Sequence, residues 1–201
     1  FRNRLVHTGN PVRAEFLSAD PKRGKAFIGK NVGNILLILG GSQGSETINK
    51  IVRESLEELS HHFFVVHICG PGKKVESNLE NYVQFEFVRK EMADLLAAAD
   101  LVVSRAGSNS LFEIIAMKKP NILIPLGLSS SRGDQILNAR YAKEKGWSAV
   151  ITEESLTSET FLQELLLLKE NSDVYLQNLS GFEPKEAVER IITEIECLQK
   201  N

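Results

Sequence analysis

A chain of 201 residues, 42% hydrophobic and 25% charged, has the balance of an ordinary soluble globular protein and is long enough to bury a substantial core, so residues 1–201 are read as one domain. Its formal net charge of −2 sets aside electrostatic binding of nucleic acid. Its two cysteines, Cys69 and Cys197, lie far apart with no CxxC partner, which sets aside a disulfide framework and a zinc site and fits a reducing compartment.

After an opening "RLVHTGNPVR", residues 18–34 are a polar stretch that reads as a surface loop or a short helix. "ILLILGG" (35–41) is a continuous apolar run that stops at Gly-Gly, as a buried parallel strand does. Residues 45–60 then place Ile48, Ile51, Val52, Leu56 and Leu59 on one helical face. "FFVVHICG" (63–70) and "YVQFEFV" (82–88) are further strands, "MADLLAAAD" (92–100) a short helix, and "LVVS" (101–104) a fourth strand that runs into the helix "NSLFEIIAMKK". "PNILIPL" (120–126) is a fifth strand, followed by the polar loop "GLSSSRGD" and a helix that ends at Gly146. "SAVIT" (148–152) is a sixth strand, and the remainder is helical. Strands apolar on both faces, alternating with helices, predict an α/β fold with a doubly wound, mostly parallel, Rossmann-like sheet. No apolar run in these 201 residues reaches the roughly 18 residues a membrane span needs, and no signal peptide is expected among them. Residue 1 is Phe rather than Met, which fits a fragment or a processed chain.

In such sheets a ligand sits at the carboxyl ends of the strands, near the switch in strand order. Three polar stretches fall directly after strands. "GGSQGS" (40–45) lets backbone approach a ligand and offers Ser42, but it has neither P-loop nor GxGxxG spacing, and it reads equally as a strand-to-helix turn with a Ser cap. "SRAGSNSLFE" turns at Gly107 and opens a helix with Ser108, Asn109 and Ser110, continuing through Leu111 and Phe112. Unpaired amides there suit a diphosphate. Glu113, one turn on, suits the two donor hydroxyls of a ribose, or closes a capping box with Ser110. "SRGDQILNAR" offers Asp134 and Gln135 to sugar hydroxyls, or Asp134 as an N-cap with Gln135 in solvent. In "TGNPVR", Arg13 can pair with a phosphate or join a surface salt bridge. The histidines form no catalytic constellation by spacing, and no metal-ligand pattern is visible.

Taken together and in order, "TGNPVR", "GGSQGS", "AADLVVSRAGSNSLFEI", "KKPNILIPL" and "DQILNAR" closely resemble the carboxyl-terminal half of the MurG family, bacterial GT-B glycosyltransferases that move N-acetylglucosamine from its UDP conjugate to lipid-linked muramyl-pentapeptide in peptidoglycan synthesis. The resemblance spans about residues 5 to 195 and implies a donor-binding domain. It places Arg13 and Ser42 at the diphosphate, Ser108 to Ser110 near phosphates and sugar, Glu113 on the ribose, the Val88 backbone on the uracil and Gln135 on the sugar. It implies no metal and no other cofactor. A full family member also carries an amino-terminal acceptor domain with a glycine-rich loop and a His thought to act as the base. Nothing like that domain is found in this sequence, so no catalytic residue is expected in this chain, and the chain alone is expected to bind donor without turnover. The missing domain, in the same or a separate polypeptide, is the expected partner. The family's place is the cytoplasmic face of the bacterial membrane, held peripherally through the full-length protein. Alternative readings are a stand-alone donor-binding subunit of a two-chain transferase, a related nucleotide-sugar hydrolase or epimerase, and a regulatory nucleotide-binding module.

Overall fold

The computed structural model describes residues 6, 8–29, 32–41, 43–127 and 133–199. Its centre is a six-stranded sheet built from β1 (Ile35–Leu39), β2 (Phe64–Ile68), β3 (Tyr82–Phe85), β4 (Leu101–Ser104), β5 (Asn121–Leu123) and β6 (Ala149–Val150), in the order β3-β2-β1-β4-β5-β6. Every pairing is parallel; Leu37, for example, stands beside Val66 of β2 and Val102 of β4. The chain winds outward from β1 to β3, returns to lay β4 on the other side of β1, and winds outward again. The carboxyl ends of β1 and β4 therefore flank the switch point, where the connections leave in opposite directions.

The apolar strands have helices on both faces. Leu36, Ile38, Val65 and Val103 point into one core, closed by α3 (Glu46–Glu54), α4 (Leu56–His62) and α8 (Ser158–Glu170). Ile35, Leu37, Phe64, Val66 and Val102 point into the other, closed by α1 (Ala14–Leu17), α2 (Pro21–Phe27), α5 (Met92–Ala98) and α6 (Ser108–Ala116). A third, smaller core joins α6 to α7 (Asp134–Glu144) and α9 (Ser172–Ser180) through Leu111, Ile115, Ala139 and Leu179. The last helix, α10, spans Lys185–Gln199.

All six expected strands are present, several shorter than their apolar runs. The fifth loses its pairing soon after Ile124, whose N–H still reaches Ser104 O at 2.9 Å, because Pro125 has no N–H to donate. One difference is larger: the single helix expected over 45–60 breaks at Ser55 into α3 and α4. Of the two readings of the polar stretch after residue 18, the short helix is present as α2, whose N-cap Asp20 accepts from Lys22 N.

Candidate functional site

The connection after β1 is built by close backbone approach. Gly44 has φ +71°, and a Cβ there would stand 2.0 Å from Cys69 O, so only glycine lets this loop press against the one after β2. Ser45 then caps α3, its hydroxyl accepting from Ile48 N at 3.2 Å. The cap in "GGSQGS" is thus Ser45; Ser42 lies outside the described residues.

The connection after β4 departs from expectation in two ways. Gly107 is the N-cap of α6 with φ −66° and ψ 136°, a conformation any residue adopts, so the turn does not need glycine for its backbone. A Cβ there would meet nothing within 4 Å, so the missing side chain leaves open space. The capping box is also absent: α6 has no side-chain cap, and Glu113 turns elsewhere. Its carboxylate takes a two-point ion pair from Arg13, with Nε to Oε1 at 2.6 Å and Nη2 to Oε2 at 3.2 Å. Glu15 approaches the same guanidinium at 2.9 Å, and the Phe16 ring lies under it at 4.6 Å. These carboxylates raise the Arg13 pKa further, the Glu113 hydrogen bond most. Asn10, in the same amino-terminal segment, donates to Ser108 Oγ at 2.9 Å.

Two cavities meet at the switch point. One, about 450 Å³, is lined by Arg13, Val88, Arg89, Ser110 and Glu113 among others. The second, about 520 Å³, is lined by Ser45, Arg105, Gly107, Ser110, Leu126 and Gln135 among others. Gly40, Gly41 and Ser110 line both, so they form one cleft with two lobes.

The structure thus brings Arg13, Val88, Ser110 and Glu113 to the first lobe and Gly107, Ser110 and Gln135 to the second. It does not bring all expected residues there. Leu111 is wholly buried in the third core, and Phe112 packs beside it against Phe182, ring centroids 5.9 Å apart, so both side chains hold α6 in place rather than face the cleft. Asp134 is exposed at the first position of α7, whose N-cap is Gly133, so it does not serve as the N-cap, and it lines neither lobe. Gln135 is not in bulk solvent either: its Oε1 accepts from Leu126 N at 3.1 Å. Ser108 and Asn109 stand at the start of α6 without lining either lobe.

Sequence reasoning missed a polar network beneath the second lobe. Arg105, 7% exposed, donates to Ile124 O at 3.0 Å, Ser45 Oγ at 2.6 Å and Glu153 Oε1 at 2.7 Å. Glu153, in a 3₁₀ turn (Glu153–Ser155) after β6, accepts from Gly127 N through its other oxygen at 3.1 Å. Burial pushes the Glu153 carboxyl up, but the hydrogen bonds from Arg105 and Gly127 outweigh it and leave the carboxyl below its ordinary range. The one sequence signal was a charged residue straight after an apolar strand; its partner 48 residues on follows no spacing rule. Among the described residues no group of three or more His, Cys, Asp or Glu is placed to hold a metal ion.

Residues 35–194 match the family model of the glycosyltransferase family 28 C-terminal domain. The chain is 42% identical, over 97% of its length, to the UDP-N-acetylglucosamine–N-acetylmuramyl-(pentapeptide) pyrophosphoryl-undecaprenol N-acetylglucosamine transferase of Clostridium tetani, and 46% identical, over 94%, to the protein of that name from Clostridium botulinum strain Loch Maree. It spans 55% and 54% of those relatives, about half the length of each. In fold it is similar to the crystal structure of Acinetobacter baumannii MurG, with a TM-score of 0.70 at 18% identity, covering 100% of this chain and 59% of that one.

Proposed function

The chain belongs to the family of glycosyltransferase family 28 C-terminal domains, and from that premise we propose that its two-lobed cleft binds UDP-N-acetylglucosamine as the donor half of an inverting peptidoglycan N-acetylglucosamine transferase. The observation that carries the reading is the cleft itself, two lobes joined by Gly40, Gly41 and Ser110 at the switch point of the sheet. The first lobe takes the nucleoside, with the Val88 backbone on the uracil and Glu113 on the ribose hydroxyls. The junction takes the diphosphate, between Arg13 and the start of α6, which has no side-chain cap and where Ser110 lines both lobes; Ser42, the other expected diphosphate contact, lies outside the described residues. The second lobe takes the sugar, near Gln135.

In the reaction an acceptor hydroxyl attacks the anomeric carbon, the bond from that carbon to the diphosphate breaks, and UDP leaves with the electron pair. The amides and dipole at the start of α6 stabilise the charge that gathers on the departing diphosphate, so no metal is required for that task. The base that takes the acceptor proton, and the surface that presents the acceptor, belong to a partner domain outside this chain. The relatives' names support this assignment, and their greater length supports a partner domain. The cytoplasmic face of the membrane is the place this substrate chemistry requires; among the described residues no helix is long and apolar enough to cross a membrane. A stand-alone donor-binding subunit would use the same cleft.

Calorimetric titration with UDP, UDP-glucose and UDP-N-acetylglucosamine, with chelator present, tests the reading. UDP binding is expected to be unchanged by chelator; its abolition would replace the amide-and-arginine diphosphate site with a metal-bridged one. Gln135 supplies a second test. Its amide oxygen is held by Leu126 N, which leaves its amide nitrogen to a sugar hydroxyl. Gln135→Ala is expected to weaken UDP-N-acetylglucosamine by about 2- to 13-fold, the worth of one hydrogen bond of ~0.5–1.5 kcal/mol, and to spare UDP. Equal weakening of both ligands would remove Gln135 from the sugar lobe.

A further inference from the structure

The polar network under the second lobe joins connections that follow four different strands. Arg105 follows β4 and lies three residues before α6. Its guanidinium reaches Ser45 at the end of the glycine loop after β1, Ile124 at the end of β5, and Glu153 after β6. Glu153 in turn holds Gly127, in the connection that leads to α7 and Gln135. The flat guanidinium fork divides the work between two nitrogens, Nη1 on Ile124 O and Nη2 on Ser45 Oγ and Glu153 Oε1, a planar geometry that a lysine does not reproduce. The site is closed: the Arg105 side chain is 9% exposed and that of Glu153 is 21% exposed, so both charges are held by the fold.

We propose that Arg105, with Glu153, is a positioning residue for the diphosphate part of the cleft, clamping the glycine loop, the start of α6 and the Gly127 connection in one arrangement before the ligand arrives. The inference rests on the nucleotide-sugar reading of the cleft. The clamp holds Ser45 at the end of the glycine loop and sits on the approach to α6, the two connections that bound the diphosphate junction, and it touches none of the first-lobe groups Arg13, Val88 and Glu113. Its loss therefore falls on ligands that carry phosphate and spares the nucleoside. Amides aimed at an anion are effective only when already fixed in place, since reordering them on binding consumes the gain.

The experiment titrates wild type, Arg105→Lys, Arg105→Met and Glu153→Gln with UDP by calorimetry and with uridine by NMR chemical shift, beside thermal unfolding of each. Arg105→Met is expected to weaken UDP by about 10-fold or more and to leave uridine within about 2-fold, with Arg105→Lys in between. Glu153→Gln keeps the Ser45 and Ile124 contacts and loses the charged partner, so it is expected to show a smaller UDP-selective loss; it carries the test if Arg105→Met does not fold. Equal weakening of UDP and uridine, or no weakening of UDP, would overturn the proposal and leave Arg105 a stabilising residue alone. A wild-type chain that binds neither ligand would refute the nucleotide-sugar reading itself.

Discussion

Glu113→Ala is expected to weaken UDP by roughly 13- to 150-fold and to leave free pyrophosphate bound at least as tightly as before. Glu113 and Arg13 satisfy each other through two hydrogen bonds, the shorter at 2.6 Å. The donor assigned to this cleft asks something different of each. Its ribose offers hydroxyls to the carboxylate, and its diphosphate offers oxygens to the guanidinium. Removing the carboxylate costs the ribose contact, ~1.5–3 kcal/mol for hydrogen bonds to a charged group. It also removes one of the two carboxylates that hold Arg13 and repel phosphate, leaving only Glu15 of the two, so pyrophosphate loses a competitor for the guanidinium. The fold is little affected, because the Arg13 side chain is 57% exposed and water takes up its charge. Titrations of wild type and variant with UDP and with pyrophosphate decide the matter. Equal losses for both ligands would make Glu113 a brace for Arg13 and α6 and remove it from the ribose site.

That ion pair marks the limit of what local sequence pattern conveys. The apolar runs at 35–39, 64–68 and 101–104 are legible as strands because a strand covered on both faces has no polar alternation, and the structure puts each in the middle of the sheet. The placement of Gly40 and Ser110 at the cleft is legible from their position just after strands. The pairing of Arg13 with Glu113 joins residues 100 apart, and that of Arg105 with Glu153 joins residues 48 apart. Neither separation is a helical or strand period, so no local rule finds them. Gly107 illustrates the opposite error. A glycine at a strand end suggests a backbone need, yet its φ of −66° is ordinary and its contribution is empty space in the second lobe. Leu111 and Phe112 follow the polar start of α6 in sequence, but the helix period turns them from the cleft into the third core.

His67 lies in β2, fully buried, and its protonation is expected to destabilise the fold in mild acid. Its Nδ1 lies 2.8 Å from the Tyr82 hydroxyl and its Nε2 lies 2.9 Å from Asn49 Oδ1. Asn49 donates its amide nitrogen to Cys69 O at 2.8 Å, so the oxygen that faces His67 accepts. Nε2 therefore carries the proton and Nδ1 accepts from Tyr82, an assignment from the network of partners. Burial, with a smaller push from the nearby Arg53 charge, lowers the His67 pKa to about 4. In the unfolded chain the imidazole titrates near its ordinary value of 6.5. The folded value is the lower one, so the unfolded state binds the extra proton, and stability falls as pH drops from about 6.5 to about 4. Across that window the loss attributable to His67 approaches about 3 kcal/mol. Asp94 and Glu46 are also held below their ordinary values, by Arg23 and Lys73 respectively, but their contribution is lost at more acid pH, near and below 3.8 and 4.5. Urea unfolding at pH 7.5 and pH 4.5 separates the two regimes. Wild type is expected to lose about 2–3 kcal/mol between those conditions, and His67→Gln, less stable at pH 7.5, is expected to lose far less. Parallel losses in the two proteins would show that the acid sensitivity lies in other groups and that β2 tolerates a charged imidazole.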